Sequence, residues 1–277
     1  MLKKQDVLFL FLMVLIILGC EYFKENETSL EDKKVKVGII DSGIFVQHEL
    51  FKNLNLCNYD ILEKKEVDNP IDLLGHGTAV TSVIVNNLEL EEQKNIQFFN
   101  IVYLNENGKG EVEYFVDAVE WAITKEIDVL NLSIGFQSYH SEIERVVKKA
   151  LDSGMIIISS AGNNLGFNSD FPARFKDVIS VSAVTKENMQ LATSSTGKVD
   201  FVAQGQNIKV ADLDGTYKIQ SGSSLATAYI TSFVMKEMLS KSNIKNNKDA
   251  FNLLKKYALD LGVDGKDEIY GYGLIKM

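Results

Sequence analysis

Apolar positions follow two rhythms along this chain. One is a set of short, strongly apolar runs bounded by polar residues or glycine: Val35 to Ile40, Ile96 to Leu104, Ile127 to Ser133, Met155 to Ser160, Val178 to Val184 and Val199 to Ala203. Several are too continuously apolar to have a wet face, which predicts strands covered on both sides. The other rhythm lies between them. Val112, Phe115, Val116, Val119, Ala122 and Ile123 recur at helical spacing, and Ser141-Glu142-Ile143-Glu144 reads as a capping box opening a helix that stops at Gly154. Further helices are expected to open at His76 and near Ser223. Ser240 to Asp249 is polar and rich in Asn and Lys, and is expected to be a surface connection before a last helix. Strands alternating with helices predict a three-layer α/β fold: a mostly parallel central sheet flanked by helices, with its ligand site at the carboxyl ends of the strands. Asp41, directly after Val-Gly-Ile-Ile, falls at such an end.

The first segment follows neither rhythm. Lys3 and Lys4 precede an apolar run from Val7 to Gly19, shorter than the roughly 20 residues that span a bilayer, and the run stops at Ile17-Leu18-Gly19-Cys20. This resembles a bacterial lipoprotein signal. The resemblance implies cleavage before Cys20, acylation of that cysteine (palmitate being one such chain), and a mature protein lipid-anchored to a membrane of the bacterial cell envelope, outside the cytoplasm. Two acyl chains anchor stably where one binds only marginally. Residues 1–19 are thus expected to be signal peptide, 20–34 a lipidated N-terminus and polar tether, and 35–277 one folded domain. Cys57 is then left alone and is expected to act as a small buried hydrophobe.

Composition narrows the picture. With 277 residues, 45% of them hydrophobic, the chain can build a substantial core. Its formal charge of -9 argues against a nucleic-acid partner, because neutralising phosphates takes a basic face. No internal repeat is evident.

Three strings carry candidate chemistry: Asp41-Ser42-Gly43, Gly75-His76-Gly77-Thr78 and Gly222-Ser223-Ser224-Leu225-Ala226. A serine hydroxyl is a poor nucleophile unless an imidazole takes its proton and a carboxylate orients the imidazole. Each string also has a plain structural reading. Asp41 could be a turn former or a metal ligand, His76 a structural histidine, and Ser224 an N-cap, with Ser223 a competing hydroxyl next to it. A fourth string, Ser160-Ala161-Gly162-Asn163, ends a strand with an amide that could donate to an oxyanion or merely make a turn.

The order Asp, His, Ser is that of the subtilisins, and these strings resemble the subtilisin-like serine proteases over nearly all of Val35 to Lys276. The resemblance extends to Gly108-Lys109-Gly110, Val119 to Ile123, Asp128 to Gly135, Phe171 to Phe175 and Tyr270 to Ile275. It implies a subtilisin-like peptidase domain over 35–277, with Ser224 as nucleophile, Asp41 orienting the base and Asn163 holding the oxyanion. His48 falls where the family often has a structural histidine and His140 lies in a loop, which leaves His76 as the base. The resemblance also implies an extended protein or peptide substrate held between two strands, one containing Gly108, Gly110 and Val112 and the other Ser133, Ile134 and Gly135. Ser160, Ala161 and Gly162 would wall the pocket for the residue before the cut. Asp170 would sit at its end and favour Lys or Arg there, unless it is a solvated loop residue.

The chain departs from the family pattern at Ser223, usually Thr, and Ala228, usually Pro. The span between Cys20 and Val35 is expected to be too short for a folding propeptide. Asn86 to Gln93 differs from the family's calcium-binding loop. Glu89, Glu91 and Glu92 could hold a cation, but a solvated acidic helix end is the reading taken, and no metal or cofactor is expected. Oligomeric state is not legible. The rival to a peptidase is a surface lipoprotein that uses the fold as a silent protein-binding module.

Overall fold

The computed structural model describes residues 34–241 and 243–276; the expected signal peptide, Cys20 and the tether up to residue 33 lie outside them. In chain order the described elements begin with β1 (Val35–Asp41), a single 3-10 turn (Glu49–Phe51), β2 (Asn55–Asp60), β3 (Lys65–Glu66), α1 (His76–Asn86), α2 (Leu90–Lys94) and β4 (Ile96–Val102). They continue with α3 (Val112–Thr124), β5 (Val129–Leu132), α4 (Ser141–Asp152), β6 (Ile156–Ser160), β7 (Ile179–Val184) and β8 (Phe201–Gln204). The last are β9 (Ile208–Ala211), β10 (Tyr217–Gln220), α5 (Ser223–Ser240) and α6 (Asn247–Tyr257).

All six apolar runs become strands of one eight-stranded sheet, in the order β3-β2-β4-β1-β5-β6-β7-β8. Every pairing is parallel except that of β2 with β3. Alternate residues of one strand serve two cores. Val37 and Ile39 belong to a cluster with Val80 and Ile84 of α1 and Ile230 and Val234 of α5. Ile40 belongs to the other, with Leu130, Leu132, Phe115 and Val119 of α3, and Val146 of α4. Burial on both faces is what makes such strands read as apolar runs.

The sheet grows first to one side of β1, through β2, β3 and β4, and then to the other, through β5 to β8. The carboxyl end of β1 is therefore a switch point, where crossing helices diverge and leave a crevice. Asp41 ends β1 there, paired in register with Val102.

Three expectations need correction. His140, with extended backbone (φ -133°, ψ 124°), takes the N-cap of α4, so Ser141 is already helical; its hydroxyl lies 3.2 Å from the Glu142 carboxylate and does not cap. Gly154 does end that helix, with φ +95°. The polar stretch 240–249 is only partly a connection, because α6 starts at Asn247, capped by Asn246, whose side chain accepts from Asp249 N–H at 3.1 Å. Cys57 is half-buried on β2 rather than enclosed, and burial still pushes its thiol pKa up.

Candidate active site

Asp41 is fully buried at the end of β1. Its Oδ1 accepts from Ser42 N–H at 2.8 Å and lies 2.7 Å from Nδ1 of His76, the first residue of α1. A carboxylate can only accept, so the proton of a neutral His76 sits on Nδ1 and Nε2 keeps its lone pair. That is the tautomer a general base needs. The charge of Asp41 raises the His76 pKa above its ordinary value and its hydrogen bond adds to this, while desolvation pulls the other way. The close approach depends on Gly77: a Cβ there would lie 2.2 Å from the Gly43 carbonyl oxygen and 3.1 Å from Asp41 Cβ.

Ser224, in the first turn of α5, is 7% exposed. Its hydroxyl donates to Ser133 O at 3.3 Å and makes no hydrogen bond to His76 in this structure. Bonds between nucleophile and base commonly tighten only in the Michaelis complex. Ser133 brings the groups to one place, because it lines a single cleft with His76 and its own hydroxyl donates to Ser224 O at 3.2 Å.

Behind it runs a buried polar chain that sequence reasoning missed. Thr231 Oγ1 donates to Asn131 Oδ1 at 2.9 Å, and Asn131 Nδ2 donates to Ser133 Oγ at 3.1 Å. It ties α5 to the end of β5. The available signal was an asparagine inside the apolar run Val129-Leu130-Asn131-Leu132, since a buried amide requires partners.

Ser223, the competing hydroxyl, is fully buried and already engaged. Its Oγ lies 2.7 Å from Ser160 Oγ and 3.1 Å from both Gly162 O and Asn163 Oδ1, and its N–H donates to the same amide oxygen at 3.1 Å. Holding Oδ1 this way fixes which end of the Asn163 amide is free. Asn163 is exposed and its Nδ2 remains as a donor, close enough to the backbone that a Cβ on Gly222 would sit 3.5 Å from it.

Asp170 is not a solvated loop residue: it is 9% exposed. It lies between two glycines, where a Cβ on Gly162 would be 2.4 Å from its Oδ2 and one on Gly135 2.6 Å from its Cβ. Its N–H donates to Ala161 O at 2.9 Å, and Asn164 Nδ2 donates to its Oδ1 at 2.8 Å. Burial raises its pKa, with the Asn164 bond and the Arg174 charge opposing. Phe136 and Phe171 exchange both backbone bonds, at 2.7 and 2.8 Å, and so tie the segment after β5 to the loop carrying Asp170.

The cleft, about 350 Å³, is lined by Gly108 and Gly110 on one side and by Ser133, Ile134 and Gly135 on the other, with Leu74, Leu104, Tyr103 and Phe136 at its margins. Val112 is not part of it. The segment 108–112 is no strand: Gly108 turns with φ +70°, Glu111 is the N-cap of α3, and Val112 opens that helix and packs on the core. Its helical spacing with Phe115 and Val116 prevails over the strand expected there. His48 is buried and structural in role, accepting from Leu50 N–H on Nδ1 and contacting Thr216 O at 3.0 Å through Nε2. His140 is half-buried beside the Phe136 ring. Glu92 accepts from Glu89 N–H and pairs with Lys236, and Glu91 pairs with Lys94, so these carboxylates act within and around α2.

The model of the subtilase family matches residues 32–273. Minor extracellular protease Epr of Bacillus subtilis (strain 168) is 28% identical over 260 residues, covering 90% of this chain and 39% of that protein. Subtilisin amylosacchariticus of Bacillus subtilis subsp. amylosacchariticus is 31% identical over 252 residues, with 88% and 64% covered, and the subtilisin of Bacillus pumilus 31% over 252 residues, with 88% and 89%. The chain thus spans less than two thirds of the first two relatives. Among solved structures, a lanthipeptide protease superposes with a TM-score of 0.76 at 23% identity, covering 91% of this chain and 90% of that one. A cold adapted subtilisin-like serine proteinase gives 0.73 at 25% identity, covering 87% and 86%. Because the family match runs through every strand of the sheet and through both helices that carry His76 and Ser224, this chain belongs to the subtilase family.

Proposed function

We propose that this chain is a serine endopeptidase. The observation that carries the reading is the 2.7 Å contact of a buried carboxylate with His76 Nδ1, which leaves Nε2 free to take a proton. In the proposed reaction an extended peptide lies between Gly108–Gly110 and Ser133–Gly135. Ser224 Oγ attacks the scissile carbonyl carbon and its proton passes to His76 Nε2, with Asp41 stabilising the imidazolium. The oxyanion receives hydrogen bonds from Asn163 Nδ2 and the backbone N–H of Ser224, at the positive end of α5. His76 returns the proton to the leaving amine, and water, deprotonated by the same imidazole, releases the acyl group from Ser224. Covalent labelling by a fluorophosphonate tests this: wild-type protein is labelled and Ser224→Ala is not. Absence of label on folded wild-type protein would favour a silent binding module instead.

Two finer features belong to the same proposal. Asp170 selects Lys or Arg before the cut, supported by its burial between the two glycine walls. The enzyme is lipid-anchored through Cys20 at the bacterial cell envelope, supported by the sequence Ile17-Leu18-Gly19-Cys20 after a basic start and an apolar run. Metabolic labelling with a fatty acid marks the wild type and not Cys20→Ser; equal labelling of both would refute the anchor.

A further inference from the structure

Helix α1, which presents His76, has no capping side chain of its own. Its N-cap is Gly75, with φ +72°, where a Cβ would meet Leu213 at 3.2 Å and Lys218 Nζ at 3.3 Å. Free N–H groups at a helix start need acceptors. Two side chains from outside the helix supply them. Ser42 Oγ accepts from Gly77 N–H at 2.9 Å. Asp72 takes four more donors: Oδ1 accepts from Leu74 N–H at 3.0 Å and Gly75 N–H at 2.8 Å, and Oδ2 accepts from Thr78 N–H at 3.0 Å and Thr78 Oγ1 at 2.6 Å.

All four partners of this carboxylate are donors. It is 5% exposed, although its neighbours Ile71 and Leu73 are 73% and 60% exposed, so the loop turns the carboxylate inward between two outward apolar side chains. Thr78 Oγ1 in turn accepts from Phe45 N–H at 2.9 Å, and a Cβ on Gly43 would lie 3.3 Å from Asp72 Cα. Asp72 thereby joins the loop leaving β1, which begins at Asp41, to the first turn of α1, which begins at His76.

We propose that Asp72 is a positioning residue of the active site: it fixes the start of α1 so that His76 Nδ1 meets Asp41, and it sets a second negative charge behind the imidazole. This rests on the peptidase reading above. The charges facing His76 are Asp41, Asp72 and Lys218, the last paired with Asp212 at 2.9 Å. Asp72 raises the His76 pKa and Lys218 lowers it.

The test uses the full chain and two readouts. The sequence has only three histidines, so the His76 imidazole can be titrated by NMR in a Ser224→Ala background without turnover. Adding Asp72→Asn lowers its midpoint, because the charge of Asp72 helps hold the imidazolium. In the chain retaining Ser224, Asp72→Asn lowers kcat per fluorophosphonate-titrated site by roughly 10- to 100-fold, with KM within about twofold. A merely structural role would reduce the number of titratable sites while leaving kcat per site and the midpoint unmoved, and that result overturns the proposal. Should Asp72→Asn fail to fold, Thr78→Val removes the hydroxyl link without altering charge. It lowers kcat per site, and Thr78→Ser recovers the loss; an unchanged kcat per site in Thr78→Val equally overturns the proposal. A wild-type chain that takes no label would end the peptidase reading, and the NMR midpoint would still decide for or against Asp72.

Discussion

Replacing Asp170 by serine tests the role proposed for one buried carboxylate in the choice of substrate. Oδ1 is occupied by Asn164, and Oδ2 fills the space that Gly162 and Gly135 leave by lacking a Cβ. A hydrogen bond to a charged group contributes about 1.5–3 kcal/mol, which corresponds to roughly 10- to 150-fold in kcat/KM. Asp170→Ser is therefore expected to lower kcat/KM by about that factor for peptides with Lys or Arg before the cut, and to leave Leu or Phe peptides within about threefold. The assay is a matched pair of fluorogenic peptides differing only in that residue, read as the ratio of their kcat/KM values. The ratio cancels the His76 titration that both peptides share. It also carries its own pH signature: the ionised carboxylate makes the interaction, so preference for the basic peptide is full above the Asp170 pKa and lost below it. Because burial raises that pKa above its ordinary value, the loss begins at a higher pH than for an exposed aspartate. Asp170→Glu does not rescue, since the aspartate side chain already sits so close to Gly162 and Gly135 that a Cβ on either would lie 2.4 or 2.6 Å from it, which leaves no room for another methylene. A ratio near one in the wild type, or a ratio indifferent to both pH and Asp170→Ser, refutes the reasoning.

Other expectations follow from the same geometry. The acid limb of kcat/KM has its midpoint above the ordinary histidine value of 6.5, because His76 must be neutral to act and Asp41 holds its pKa up; Asp41→Asn moves that limb down and lowers kcat by about 10⁴, measured by pH-rate profiles. Asn163→Ala lowers kcat by about 10²–10³ with little change in KM, whereas Ser223→Ala still takes a fluorophosphonate label, because Ser223 orients Asn163 and is not the nucleophile. Gly77→Ala drives a methyl to 2.2 Å from the Gly43 carbonyl and destabilises by about 1–3 kcal/mol, read from the midpoint of urea unfolding together with loss of labelling.

Burial on both faces made the central strands legible. It imposes an apolar or small residue at every position of Ile156–Ser160 and an apolar one at three of the four of Val129–Leu132, whereas β2, β9 and β10 carry half-exposed side chains and do not stand out from loop. The strings around Asp41, His76 and Ser224 were visible, but their meeting depends on register and helix start, and no local pattern encodes either. Ser223 and Ser224 are equivalent as adjacent hydroxyls in a string; burial and saturation of Ser223 separate them only in three dimensions. Val112 could serve a strand or a helix on paper, and packing against the core assigns it to α3. Asp72 is not legible in the sequence, because Ile71 and Leu73 beside it suggest no polar cluster and its four donors come from a turn and a helix start that exist only once folded.

The place of α5 has a consequence for timing. This helix, buried on nearly every side, contacts β1, β5, β6, β7 and β8, and it contributes both Ser224 and the backbone N–H proposed for the oxyanion. A chain still emerging from the ribosome has made Asp41 and His76 long before Ser224, and α1 then has no α5 to pack against. The proposed hydrolytic competence therefore appears only when the last fifth of the polypeptide has docked, so labelling of Ser224 doubles as a clock for completion of the fold.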